Sequence, residues 1–114
     1  MRLIGVNAIS LTMLVATSCS APAKAGCADP QDSSTVTIAD FSFRPGCVAV
    51  AVGATLTLTN DDSIPHTFTV QGTNVDVTLA SDQTTSVALA GLAAGTYSVI
   101  CRYHPQMVEG LRVG

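Results

Sequence analysis

The chain has no tryptophan and only two tyrosines and three phenylalanines. Proteins that bind bases or sugars stack them on aromatic faces, so such a platform has little to be built from here. Charge is scarce as well. Only 11% of residues are charged, and five Lys and Arg stand against eight Asp and Glu. With a net charge of −3 and no basic cluster, the chain lacks the footprint of a nucleic-acid binder. It also lacks an internal repeat, and beyond residue 18 no segment shows an apolar stripe at helical spacing.

The N-terminus is the one place with a long uncharged run. Arg2 is followed by apolar residues from Leu3 to Ala16, too short for a bilayer span and placed where a secretory signal has its hydrophobic region. Residues 1–18 therefore read as a signal peptide of the lipoprotein type. Val15-Ala16-Thr17-Ser18 would be cut before Cys19, which becomes the lipid-anchored N-terminus. The alternative is cleavage after Ala25, at Ala23-Lys24-Ala25. Either route exports the chain to the periplasm or outer cell surface. Residues 19–33, rich in Ala, Ser, Pro and Asp, read as a tether.

From residue 34 to 114 the hydrophobic period is two. Val36 and Ile38 alternate with threonines, as do Leu56 and Leu58, Phe68 and Val70, Val87 and Leu89, and Tyr97 and Val99. Val48, Val50 and Val52 share the pattern, and so do Val75, Val77 and Leu79. Turn residues separate these runs at Pro45-Gly46, Gly53, Asn60-Asp61-Asp62, Gln71-Gly72, Gly91 and Gly95. Short Val- and Thr-rich strands at this spacing predict an all-β domain, an antiparallel β-sandwich or barrel.

Four cysteines divide among three tasks. An exported chain can oxidise Cys27 and Cys47 to a disulfide. Closing a loop of that size contributes about 3 kcal/mol in the chain-entropy model. Cys19 is then free for lipid and Cys101 for metal. The plainer alternative ties Cys101 into a disulfide, which leaves its neighbours His104 and Met107 unexplained. The other histidine, His66, lies far upstream after Pro65. Strand parity puts Tyr97, Val99 and Cys101 on one face, and His66, Phe68 and Val70 on one face of another strand. Both sets point inward and end at one pole. One thiolate, two imidazoles and a thioether are the donors of a blue-copper electron-transfer site. The metal candidates are thus His66, Cys101, His104 and Met107. With only two histidines, the chain cannot furnish a second, His-rich copper centre for catalysis, so it is expected not to be an enzyme.

These residues, with Phe41-Ser42-Phe43-Arg44-Pro45, Val50 to Leu56, Asn60 to Thr67 and Gly95 to Met107, resemble the cupredoxins of the plastocyanin and amicyanin type. The resemblance covers about Thr35 to Val113, and the short gap from His104 to Met107 is similar to the compact ligand loop of amicyanin. It implies an all-β Greek-key antiparallel β-sandwich holding one type 1 copper that cycles between Cu(II) and Cu(I), with His66, Cys101 and His104 as strong ligands and Met107 axial. It also implies outer-sphere transfer of single electrons between redox partner proteins that dock transiently near His104. Ile64, Pro65, Pro105 and Val108 are the expected apolar rim of a monomer. Copper delivery or storage is the alternative use of the same ligands. Two positions depart from the family. Thr67 stands where an Asn commonly ties the ligand loops together. Tyr103 stands where relatives have proline, so its N–H is expected to reach the Cys101 sulfur and raise the reduction potential.

Overall fold

The computed structural model describes residues 27–114, which form strands without a helix. In chain order the strands are β1 (Gln31–Asp32), β2 (Thr35–Ala39), β3 (Ser42–Arg44), β4 (Cys47–Val50) and β5 (Thr55–Asn60). They continue as β6 (His66–Val70), β7 (Asp76–Leu79), β8 (Thr84–Ala88), β9 (Gly95–Cys101) and β10 (His104–Val113). One sheet runs β1-β4-β10-β9-β6-β7 and the other β3-β2-β5-β8. No described helix is long and apolar enough to cross a membrane.

The two-residue period produces this sandwich. Alternation turns Val36 and Ile38, Leu56 and Leu58 inward from one sheet, and Phe68 and Val70, Leu111 and Val113 inward from the other. Phe43 meets Phe68 edge-on at 6.2 Å between ring centres, joining the layers. Each such side chain taken fully from water contributes roughly 1.5–3 kcal/mol. Tyr97 is only half-buried, and Val52 is 58% exposed on the turn after β4, although both fall in the alternating pattern.

The sheets are mixed rather than wholly antiparallel. β1 with β4, β4 with β10, and β2 with β5 are parallel pairs. Each joins strands that are not consecutive in the chain, whereas turn residues report only on strands linked by a hairpin. Gln31 and Asp32, assigned to the tether by composition, pair with Val48 and Ala49 as β1. A disulfide joins Cys27 to Cys47, so the end of that segment is bonded to β4. Cys101 is a free cysteine. Cys19 and the signal sequence lie outside the described residues.

Candidate metal centre

Three strand ends create the centre. His66 opens β6, Cys101 closes β9 and His104 opens β10. Parity alone turns His66 and Cys101 inward, and both are fully buried, while His104 is half-buried. β10 pairs with β9 at His104↔Cys101, then slips before resuming at Val108↔Ile100. Met107 lies in that irregularity and is buried. The ligating atoms of His66, Cys101 and His104 all lie within 4.8 Å of one another.

The spacing fits a trigonal metal. Cys101 Sγ is 3.6 Å from His66 Nδ1 and 3.7 Å from His104 Nδ1. A metal held at about 2.3 Å from sulfur and about 2.0 Å from nitrogen, with 120° between them, sets S and N about 3.7 Å apart. The donors' chemistry narrows the metal further. A soft thiolate, two imidazoles and a nearby thioether fit one type 1 copper ion.

The tautomer of His66 follows from its neighbour. His66 Nε2 is 2.8 Å from Asp62 Oδ2. An ionised carboxylate can only accept, so the proton is on Nε2 and the Nδ1 lone pair is free to face the sulfur. Asp62 also accepts the N–H groups of Asp40 (2.8 Å) and Phe41 (3.0 Å). Partial burial pushes its carboxyl up, but the Phe41 and Asp40 N–H groups and then His66 outweigh that and hold it below the ordinary value. Asn60, fully buried, fixes the loop between them. Its amide donates to the carbonyls of Ile64, Leu79 and Ala80, and its Oδ1 accepts from Asp62 N.

Thr67 takes over the bridging role expected of an Asn. Its N–H points at Cys101 Sγ at 3.3 Å. The hydroxyls then form a directed chain. Thr69 Oγ1 must donate to Asp76 Oδ1 (2.8 Å), because a carboxylate only accepts. Thr67 Oγ1 therefore donates to Thr69 Oγ1 (3.0 Å) and accepts Arg102 N–H (2.8 Å). Arg102 Nε closes the circuit on Asp76 Oδ1 at 3.1 Å. Thr69 first, and then Arg102, lower the Asp76 carboxyl below its ordinary value. The circuit ties the residue after His66 to the residue after Cys101. Tyr103 does not act as expected: the backbone donor that reaches the sulfur is Thr67, across the β6–β9 pair. Tyr103 is half exposed, with the Arg102 guanidinium 5.6 Å from its ring centre.

Two features escaped the sequence reading. Phe41 packs edge-on against His66 (5.3 Å) and His104 (5.0 Å), whose own rings are 5.1 Å apart. Nothing local to Phe41 announces this, since the contact spans both sheets. Glu109 is fully buried on β10 with neither carboxyl oxygen hydrogen-bonded, and burial pushes it to about 9. Its signal was present. Met107, Glu109, Leu111 and Val113 alternate, so parity turns Glu109 inward.

A family model described as cupredoxin-like domain matches residues 8–111. No curated protein sequence matches the chain. A reduced amicyanin variant is 26% identical, over 81% of this chain and 90% of its own, with a TM-score of 0.60. A purple cupredoxin from Nitrosopumilus maritimus is 23% identical over 72% of this chain and 100% of its own, with a TM-score of 0.59. A copper-containing nitrite reductase from Thermus scotoductus SA-01 is 24% identical over 75% of this chain, with a TM-score of 0.60. The chain spans only 23% of that enzyme's length. With the family model covering nearly the whole sequence and the fold shared with these structures, the chain belongs to the cupredoxin-like family.

Proposed function

We propose that the chain is an exported mononuclear blue-copper protein that passes single electrons between partner proteins. The observation that carries the reading is the S–N spacing of 3.6 and 3.7 Å around a buried free cysteine. In this reading His66, Cys101 and His104 hold the metal strongly and Met107 weakly. Bound there, copper supplies a one-electron couple between Cu(II) and Cu(I).

The chain's own residues do the rest. Asp62 and the Thr67 circuit fix ligand orientation, so little has to move when the charge changes. Burial of His66 and Cys101 keeps water from the thiolate. His104, half-buried, leaves one imidazole edge toward solvent as the path for the electron. Around it Pro65, Pro105 and Val108 are exposed and Ile64 is half-buried, a small apolar rim of the kind suited to brief redox encounters. Phe41, 48% exposed, belongs to the same rim.

Both histidines are used by this one centre, which supports an electron carrier rather than an enzyme. Export is supported by the signal-like residues 1–18 and by the Cys27–Cys47 disulfide, which persists in oxidising compartments. A lipid on Cys19 would hold the carrier at a membrane surface. The test is an absorption and EPR spectrum of the oxidised, copper-loaded chain. An intense thiolate-to-copper band with type 1 hyperfine splitting is expected. A colourless chain that exchanges Cu(I) readily would instead favour copper delivery or storage.

A further inference from the structure

The β2–β3 hairpin turns at Asp40 and Phe41, with φ of 51° and 56°. Two successive left-handed residues make a type I′ turn, which Asn-Gly favours. A phenylalanine in that region is a genuine outlier, and such outliers persist only where surrounding structure holds them. Here the holder is Asp62, 22 residues away from Asp40. Oδ1 accepts Asp40 N–H, and Oδ2 accepts both Phe41 N–H and His66 Nε2–H. Asp62 is itself fixed from both sides: its N–H donates to Asn60 Oδ1 (3.0 Å) and its carbonyl accepts from Ser81 Oγ (2.9 Å). Its side chain is only 13% exposed. The turn so held places the Phe41 ring against both imidazoles.

We propose that Asp62 is a positioning residue that joins the copper ligand His66 to the Phe41 turn, so that one carboxylate sets both the donor strength of His66 and the aromatic cover over the two imidazoles. A carboxylate on the far nitrogen of a ligating imidazole raises its basicity. A more basic imidazole favours Cu(II) over Cu(I), which lowers the reduction potential. The Phe41 ring meanwhile shields imidazole faces that would otherwise meet solvent. Because both effects run through Asp62, loosening the turn and weakening the ligand are one event.

This inference rests on the copper reading, and the experiment separates the two. The full chain and its Asp62→Asn and Asp62→Ala variants are titrated with Cu(II) and with Cu(I), and their potentials are measured. Ring-to-ring NOEs between Phe41 and the two histidines are recorded in the metal-free and the diamagnetic Cu(I) forms. In Asp62→Asn, Cu(II) affinity should fall about 10–100-fold, Cu(I) affinity by less, and the potential should rise. In Asp62→Ala the NOEs should be lost. Should the alanine variant not fold, loss or weakening of the NOEs in Asp62→Asn decides the same point. Equal losses of Cu(II) and Cu(I) affinity would overturn the proposal, as would NOEs that survive in both variants. A parent chain that binds no copper yet shows the Phe41–histidine NOEs would fail the copper reading alone. The metal-free NOEs of the variants would still test the clamp.

Discussion

Two carboxyls close in sequence to metal ligands are held under opposite conditions. Asp62, four residues before His66, has a hydrogen-bond donor on each oxygen. Glu109, two residues after Met107, is more deeply buried and has none. The first is held ionised below its ordinary value, and the second is pushed to about 9 and is neutral at pH 7. Backbone context decides between them. Asp62 faces a hairpin turn, whose N–H groups have no strand to pair with. Glu109 sits within a strand paired on both sides, by β4 and β9, so the neighbouring N–H groups are already spent on the sheet. The same functional group becomes a clamp in one place and an uncompensated burial in the other.

The largest effect is expected at the cysteine ligand itself. Cys101→Ser should abolish the intense visible band of the copper-loaded protein, while far-UV circular dichroism keeps its β signature. A serine variant that stays blue would exclude Cys101 as a ligand. Next in size is Glu109→Gln in the metal-free domain. With a folded value of about 9 against 4.5, the native state binds the extra proton between those values. The Glu109 contribution to stability should therefore be full below about pH 4.5 and fall as pH rises toward 9, by about 3 kcal/mol at pH 7. Glutamine cannot ionise, so that slope should vanish in urea titrations across the range. A slope shared by parent and variant would place the titration elsewhere.

A smaller effect is expected on the well-partnered side. Thr67→Val leaves the Arg102 N–H and the Thr69 hydroxyl without their partner, which costs about 1–3 kcal/mol of stability. The Thr67 N–H bond to sulfur remains, so the potential should shift little. Chemical denaturation and voltammetry on the same sample check both halves. Smallest of all is Tyr103→Pro. The sulfur's backbone donor is Thr67, so deleting the Tyr103 N–H should leave the potential nearly unchanged. A clear drop in voltammetry would restore Tyr103 as a donor.

The sequence was most informative where chemistry and spacing coincide. Cys101, His104 and Met107 lie within one short loop, so their proximity needs no tertiary information. His66 could be added because Phe68 and Val70 fix the parity of its strand. Cysteine count and the signal-like residues 1–18 were enough to expect the Cys27–Cys47 bond that the structure contains. Phe41 could not be found that way. Its relation to His104 depends on how the β2–β3 hairpin lies across the end of the other sheet. The Tyr103 expectation failed for a related reason. It assumed that the sulfur is served from its own loop, whereas the donor comes from the strand alongside.

The sequence by itself determined the all-β class, the donor types and the pole at which they gather, because a period of two and short loops are local properties of the chain. Tertiary structure alone decided the parallel pairings, the hydroxyl chain from Arg102 to Asp76, and the fates of Asp62 and Glu109. A carboxyl is ionised or neutral according to the donors around it, and those come from segments far away in sequence.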